Sequence, residues 1–191
     1  MIKHVTGAGK DTSSPYGDSW DLLWVGHCGD EVDYTHDNVS SAFDDTLPDT
    51  TLYRGVYGDY TYFPPHLRLV HDSMWPICTF AYAITRDAAL RMYGLAKGGA
   101  QRVITVEMRE WCLNGTLRCV TVNPELFHHH KKAGEIASQI AVVEGWDDRA
   151  AAPNIGYTAN IRYSARCNSK SETLVTCQSE FGDNAAKGDE G

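Results

Sequence analysis

The most conspicuous chemical feature of this sequence is the run His128-His129-His130, which lies just after Glu125. Imidazole and carboxylate groups are ligands that divalent metal ions accept, and such an ion neutralises a diphosphate leaving group. Alternate side chains of an extended segment point to opposite sides, so at most His128 and His130 share one side. We therefore predict His130 and His128 as metal ligands. The alternative is a solvated loop whose histidines have no special role.

Basic side chains near the predicted strand ends are candidates for binding a diphosphate. Lys131 and Lys132 follow the histidines directly, and Arg86 follows an apolar segment that ends at Thr85. Lysine offers a point charge and arginine a planar fork to phosphate oxygens. Because α/β sheets bind ligands at the carboxyl ends of their strands, we expect the active site near Thr85 or an equivalent strand end. Solvated surface charge is the alternative, above all for the two lysines.

Other pairs of reactive residues are poor candidates for chemistry. Asp44-Asp45 and Asp147-Asp148 are acidic doublets, but neither follows an apolar strand, where a metal-binding pair is expected. His27 and Cys28 are neighbours on a predicted strand and therefore point apart, which argues against a thiol–imidazole dyad. The sequence has no Cys-x-x-Cys spacing and no complete glycine-rich phosphate loop.

The composition is that of an ordinary globular protein of 191 residues with a formal charge of -8. That charge argues against binding of a phosphate backbone, so nucleic acid is not an expected partner. No segment has the apolar length of a membrane span, and residues 1–14 lack the apolar core of a signal peptide.

The six cysteines do not require a disulfide framework in a chain of this size. Cys112 and Cys119 flank Asn114-Gly115, and they either pair across that turn or stay two buried thiols. Asn38-Val39-Ser40 and Asn114-Gly115-Thr116 fit the N-glycosylation pattern. These features leave the compartment open between the secretory pathway (Golgi or endoplasmic reticulum) and the cytoplasm.

The elements that must position these residues are those of an α/β fold. The segment Pro76–Thr85 predicts a buried strand that leads into a helix, with Thr85 as N-cap and Gly98-Gly99 at the helix end. A second helix is predicted over Thr105–Leu113, capped by Thr105, with Ile104, Met108 and Trp111 on one face. The remaining predicted elements are strands at Trp20–Cys28, Leu67–His71 and Leu117–Val122, and a short helix over Glu135–Val143.

The domain organisation predicted from the pattern has three parts. Residues 1–18 are an irregular lead-in, 19–167 form the folded domain and 168–191 are a flexible tail. The acidic, turn-rich stretch 31–65 is predicted as a long excursion that carries one short hairpin, Leu52–Phe63. Exposed aromatic residues can stack on a sugar, which makes candidates of Tyr53, Tyr57, Tyr60 and Tyr62. A hairpin that packs its own aromatic residues is the alternative.

Four segments together resemble the glycosyltransferase family 25 domain of fungal proteins, which is related to bacterial lipopolysaccharide glycosyltransferases. They are Trp20–Gly29, Cys78–Thr85, Pro124–His130 with Ala133-Gly134, and Asn160–Cys167. The resemblance implies a GT-A-like α/β fold, a mixed sheet with flanking helices, that transfers a hexose such as galactose from a UDP-sugar to a hydroxyl acceptor. It also implies a divalent metal, Mn²⁺ or Mg²⁺, near His130, and donor contacts at Arg86, Tyr82 and Lys131. For Tyr82 a place in the core is the alternative.

The resemblance covers the C-terminal portion of the family domain. In the family, a donor-binding half precedes the strand that corresponds to Trp20–Cys28, so we expect that strand to be left as an exposed element if nothing replaces that half. Near the acceptor the family carries an Asp where this sequence has Thr105, and Glu107 is a nearby carboxylate. Thr105 and Glu107 are therefore the candidate catalytic residues. Two functions stand as alternatives: a hexosyltransferase, or a catalytically inactive remnant that acts as an interaction module.

Overall fold

The computed structural model describes residues 2–5, 16–35, 38–53, 63–99, 102–128, 161–170 and 172–174. Within these ranges, one mixed sheet contains the strands β1 (Leu22–Gly26), β2 (Val39–Phe43), β3 (Leu67–Asp72), β4 (Ala81–Ile84) and β5 (Cys119–Asn123). The α-helices are α1 (Ile2–Val5), α2 (Arg86–Lys97), α3 (Ile104–Leu113) and α4 (Ala165–Asn168). The α/β class predicted from the sequence is confirmed.

The strand order is β2-β3-β5-β1-β4, so β1 has a hydrogen-bonded neighbour on each edge. It pairs in parallel with β5 and antiparallel with β4. The expectation that Trp20–Cys28 would be left as an exposed element is therefore wrong. The physical reason is that β4, from later in the chain, pairs with the edge of β1 that was expected to stay open.

The continuous apolar run of β1 is explained by burial on both faces of the sheet. Leu22 and Trp24 lie on the face that α2 and α3 cover, whereas Leu23 and Val25 lie on the opposite face. The first face is completed by Ala88, Met108, Trp111, Leu117 and Cys119, and the second by Val5, Val70, Val120 and Val122.

Helix α2 begins and ends where the sequence predicts. The Thr85 hydroxyl accepts a hydrogen bond from the Ala88 amide at 3.2 Å, and Gly98 is the C-cap. The strand before it differs from the prediction, because β4 is four residues long and lies at an edge with Tyr82 43% exposed. The buried strand predicted for Pro76–Thr85 is thus wrong. Its first residues instead make a single antiparallel bridge, between Ile77 and Gly29, and Cys78 follows at a φ of 66°.

Helix α3 has the predicted position but not the predicted cap. Val103 occupies the N-cap position and provides no side-chain hydrogen bond, so the cap predicted at Thr105 is wrong. Met108 and Trp111 are buried as expected, while Ile104 at the first turn is 45% exposed.

The stretch 31–65 contains a strand that the sequence reasoning missed. β2 lies in it and pairs with β3 from Val39↔His71 to Phe43↔Leu67. Tyr53 is buried beside Phe63 and Leu69, and burial raises its pKa, so it is not an exposed sugar platform. Most of the predicted hairpin, with Tyr57, Tyr60 and Tyr62, lies outside the described residues, as does the helix predicted over 135–143.

A short helix, α1, lies in the stretch 1–18 that was predicted to be an irregular lead-in. In the predicted lead-in, α1 places Val5 against the sheet. Of the predicted tail, residues 168–170 and 172–174 are described. No helix in the described ranges has the length and apolarity needed to cross a membrane.

Two disulfides join elements of the sheet. Cys112 of α3 bonds to Cys119 of β5, so the disulfide alternative left open by the sequence is confirmed. Cys28, just after β1, bonds to Cys78, just before β4.

Candidate functional site

Polar side chains are buried where the parallel strands β1 and β5 end. His27 and Asp30 follow β1, while β5 ends at Asn123 and leads through a cis Asn123–Pro124 bond to Glu125. Carboxyl ends of parallel strands are where α/β sheets bind ligands. We call this group the carboxyl-end cluster; its members are His27, Asp30, His71, Thr121, Asn123, Glu125 and His128.

Asp30 is the fully buried acid of the cluster. Its Oδ1 accepts hydrogen bonds from the amides of Trp75 at 2.5 Å and Met74 at 3.2 Å, and its Oδ2 accepts one from the Thr121 hydroxyl at 2.6 Å. Burial raises the pKa of Asp30 to about 7, although these hydrogen bonds favour the charged form. Asp30 therefore anchors the loop that follows β3 to the end of the sheet.

Two histidines of the cluster are buried and fixed by hydrogen bonds on both ring nitrogens. His27 Nε2 donates to the Val122 carbonyl at 3.0 Å, and its Nδ1 accepts from the Gly29 amide at 3.1 Å. His71 Nδ1 donates to the Asp72 carbonyl at 2.8 Å, and its Nε2 accepts from Asn123 at 3.1 Å.

Burial lowers the pKa of His27, and it lowers that of His71 to about 4. Both rings are thus neutral at pH 7. Because each ring nitrogen already has a protein partner, we interpret these two residues as supports of the site.

Glu125 and His128 form the pair of the cluster best suited to chemistry. His128 Nδ1 lies 2.7 Å from Glu125 Oε1, and the two side chains are 4% and 7% exposed, respectively. The His128 ring stands edge-on to Phe80, with 5.0 Å between ring centroids. A carboxylate that accepts from one ring nitrogen fixes the tautomer and the orientation of the imidazole.

The backbone around the Glu125–His128 pair runs directly beside the end of β1. The amides of Leu126 and Phe127 both donate to the Val25 carbonyl, at 2.7 and 3.1 Å. A Cβ at Gly26 would lie 2.8 Å from the Phe127 carbonyl oxygen and 2.8 Å from the Ala81 nitrogen. Such distances are closer than real Cβ contacts, so this packing requires glycine.

The fit of the cluster to a divalent metal is partial. In the described part of the chain, no group of three or more His, Cys, Asp or Glu side chains could hold a metal ion. His128 Nε2 offers one imidazole ligand, while Glu125 is bonded to Nδ1 on the other side of the ring and orients it. Mg²⁺ sites often use one or two protein carboxylates and take the remaining ligands from substrate phosphates and water. The pair therefore suits an ion shared with a bound diphosphate better than an all-protein site.

Of the residues predicted to bind metal or substrate, His128 lies in the cluster, whereas His130 and Lys131 lie outside the described residues. Arg86 is exposed at the start of α2. Because β4 runs antiparallel to β1, Arg86 and Thr85 lie at the opposite end of the sheet from His128. Of the predicted diphosphate and metal contacts that the structure describes, Arg86 and His128 are therefore not brought together.

Tyr82 lies in the middle of β4, opposite Trp24 of β1. The centroids of the two rings are 6.1 Å apart, and Tyr82 keeps 43% of its surface exposed. It is therefore an edge-strand aromatic residue that is supported by the core without being enclosed in it.

The two predicted catalytic residues lie in the first turn of α3. The Glu107 carboxylate accepts a hydrogen bond from the Arg102 amide at 3.2 Å, which ties the helix start to the preceding loop. Thr105 is half-buried on the same turn. Among the described residues, neither side chain makes a hydrogen bond to the carboxyl-end cluster, so their catalytic role stays a prediction.

Sequence reasoning missed Asp30, His71, Asn123 and the role of Glu125. A usable signal existed for two of them: Asp30 closely follows an apolar strand, and Asn123 ends another. For His71 no local signal existed, since its burial depends on the pairing of β3 with β5, where it lies opposite Thr121.

A second polar region lies at the other end of the sheet. A cleft of about 600 Å³, which we call the amino-end cleft, opens between the segment before β1 and the start of α2. Asp21 in this cleft forms an ion pair with Arg91 and accepts the Arg118 amide at 2.9 Å. These bonds join β1, α2 and β5 at their adjoining ends.

Comparison of the chain with known proteins finds no match to a protein-family profile, a curated protein or a solved structure.

Proposed function

We propose that this protein is a hexosyltransferase of the family 25 kind, with a GT-A-like fold, that transfers a hexose from a UDP-sugar to a hydroxyl acceptor. One observation carries the proposal. Three of the four segments that resemble the family meet around the Glu125–His128 pair: the first contributes the Val25 carbonyl, which accepts from the backbone between the two residues, the second Phe80 and the third the pair itself. Segments far apart in sequence that converge on a buried acid–imidazole pair are expected of a shared functional site.

In this proposal, Glu125 and His128 act on the diphosphate of the donor. His128 Nε2 would be the protein ligand of a divalent ion, Mn²⁺ or Mg²⁺, and Glu125, bonded to Nδ1 on the other side of the ring, would orient it. Such an ion, when bound, would neutralise the charge of the departing diphosphate. Glu125 keeps the proton on His128 Nδ1, so that Nε2 is the ring nitrogen with a lone pair. Phe80 packs against the ring and restricts its rotation. Thr105 and Glu107 remain the candidates for contact with the acceptor.

Binding and turnover of UDP-hexoses test the proposal. The purified protein is titrated with UDP-galactose and UDP-glucose by calorimetry with and without Mn²⁺, and UDP release is then assayed. We expect Mn²⁺-dependent binding and a loss of at least about tenfold in affinity or turnover for His128→Ala and Glu125→Gln, as is usual for groups that hold a catalytic metal.

The matched control is His66→Asn. His66 is an exposed histidine at a turn with a φ of 59°, a conformation that asparagine tolerates. This variant should bind and turn over the UDP-hexose as the wild type does. Binding and turnover that are the same in all three variants and the wild type would refute the assignment of the pair.

The second candidate function is a catalytically inactive interaction module of the same fold. It is favoured by two large apolar residues that are exposed on one side of α2, three positions apart: Leu90 at 56% and Tyr93 at 64%. Apolar residues grouped on one surface are typical of protein interaction sites. A folded wild-type protein that binds neither UDP-hexose in the presence of Mn²⁺ would favour this second function over the first.

A further inference from the structure

Asn114 lies on an exposed turn between α3 and β5. It is the C-cap of α3, and Gly115 and Thr116, which follow, are exposed as well. Asn114 Oδ1 accepts a hydrogen bond from the Thr116 amide at 2.9 Å. Gly115 has a φ of 75°, and a Cβ built there would meet no atom within 4 Å. The turn therefore projects into open space, with room for a large substituent.

The turn carries the tripeptide Asn-Gly-Thr, an acceptor pattern for N-linked glycosylation. The other match, at Asn38, differs in its surroundings. Asn38 Nδ2 donates to Asp72 Oδ2 at 2.7 Å, and Ser40 is paired with Val70 inside the sheet. In the folded protein, the nitrogen that would carry a glycan at Asn38 is thus already bonded to the end of β3. Within the described residues, Asn114 has no such tie between strands.

The disulfides are an independent observation that points to the same chemistry. Cys112 and Cys119 bracket the Asn114 turn, and Cys28–Cys78 forms the second bond. Among the cysteines whose side chains the structure describes, none is free. Disulfides persist in oxidising compartments such as the endoplasmic reticulum, which is also where N-linked oligosaccharides are attached.

We propose that Asn114 is modified with an N-linked oligosaccharide. The donor is a lipid-linked diphospho-oligosaccharide. A bond forms between Asn114 Nδ2 and C1 of the first sugar, the bond between C1 and the diphosphate oxygen breaks, the nitrogen gives up one proton, and the lipid diphosphate leaves. The fold accommodates the product because the turn at Asn114 is open to solvent.

The test compares the mass of the full-length protein, isolated from the cells that naturally produce it, before and after treatment with an amidase that removes N-linked glycans. We expect a loss of mass equal to one oligosaccharide, and an aspartate in place of Asn114 in the peptide map. Asn114→Gln and Thr116→Ala, expressed in the same cells, should each abolish that loss, whereas Thr116→Ser should retain it.

Asn38→Gln is the matched control and should leave the mass loss at Asn114 unchanged. An unmodified Asn114 in the natural protein, or a mass loss that persists in Asn114→Gln, would overturn the proposal. Thr116→Ala keeps Asn114 in place, so it tests the same acceptor pattern if the glutamine variant folds poorly. The outcome does not depend on hexosyl transfer, since the mass is measured without any activity.

Discussion

The two ends of the central sheet differ in the exposure of their polar residues: one end buries them, and the other leaves them partly exposed. At the carboxyl ends of β1 and β5, Asp30 and His71 are almost fully buried and joined through neutral partners. At the other end, Asp21 and Arg91 meet as an ion pair in which the Arg91 side chain is 48% exposed. Burial raises the energetic importance of each hydrogen bond, whereas solvent screens an exposed ion pair. The carboxyl end is therefore the end where a substitution disturbs most.

Each end also has its own disulfide. Cys28–Cys78 joins the segments that lead out of β1 and into β4, and it spans 50 positions. Cys112–Cys119 lies where β5 begins and spans 7 positions. The contributions of the two ends to stability can thus be compared by removing the disulfide, or by substituting an acidic residue, at each end.

The largest expected effect comes from removal of the disulfide at the carboxyl end. By the chain-entropy relation, closing a loop of 50 residues stabilises by about 4 kcal/mol and a loop of 7 by about 2.5 kcal/mol. The double variant Cys28→Ser/Cys78→Ser should therefore lose more free energy of unfolding than Cys112→Ser/Cys119→Ser. Urea unfolding of both variants measures this; equal losses, or the reverse order, would show that loop length does not govern the difference.

Substitution of the buried acid should come next. Asp30→Ala leaves the Trp75 amide and the Thr121 hydroxyl without their acceptor, which we expect to cost about 3 kcal/mol of unfolding free energy. Asp21→Ala, its counterpart at the other end, should cost about 1 kcal/mol, because its ion pair is partly solvated. The measurement is again urea unfolding at pH 7. The contrast between the two ends fails if Asp21→Ala is as destabilising as Asp30→Ala.

Asp30 and His71 of the carboxyl-end cluster are expected to change the stability of the protein with pH in opposite directions. The pKa of Asp30 is raised to about 7 in the folded protein, so its contribution to stability declines as pH rises from about 4 to about 7. The pKa of His71 is lowered to about 4, so its contribution is lost as pH falls from about 6.5 to about 4. In the wild type these two slopes oppose each other.

Asp30→Asn removes the first titration and should leave a stability that rises with pH between 4 and 6.5, with a slope of up to about 1.4 kcal/mol per pH unit for each of the two buried histidines, His27 and His71, that takes up a proton on unfolding. Urea midpoints taken across this range, for the variant and the wild type, give the difference in slope. A variant whose slope matches that of the wild type would mean that Asp30 does not titrate in this window.

The smallest effect concerns the helix cap at the amino end. Thr85→Ala removes the side-chain acceptor for the Ala88 amide and should cost about 1 kcal/mol, whereas Thr85→Ser keeps the hydroxyl and should cost less. Thermal unfolding followed by circular dichroism ranks the stability of the wild type and the two variants. A serine variant that is as unstable as the alanine variant would show that the hydroxyl hydrogen bond does not account for the stability lost in Thr85→Ala.

The elements that the sequence predicted well are those whose signals are local. The unbroken apolar run of β1, the Thr85 cap and the glycines after α2 each depend on neighbouring residues. β2 was missed, because Val39–Phe43 is short, contains two serines and becomes a strand through its pairing with β3. Local patterns also carry no strand direction, so the antiparallel course of β4, which separates Arg86 from His128, was not predictable.

In the candidate site, too, residues with a local sequence signal were predictable, and residues brought together by strand pairing were not. His128 was predicted as a metal ligand because histidine runs are visible in the sequence, and a partner only three positions away at Glu125 was within reach of the same reasoning. Asp30 and His71 come from separate strands, and their burial arises when β5 lies between β1 and β3. The Cys28–Cys78 bond likewise depends on the antiparallel pairing of β1 with β4.

The carboxyl end of the sheet is sensitive to any side chain placed at Gly26. With only a hydrogen in place of a side chain, it lets the amide of Ala81 and the carbonyl of Phe127 approach β1 from two directions. A methyl group at this position would act as a wedge that pushes the edge strand outward and displaces the Glu125–His128 segment in the same movement. The outer strand and the acid–imidazole pair are thus mechanically coupled through one residue that has no functional group of its own.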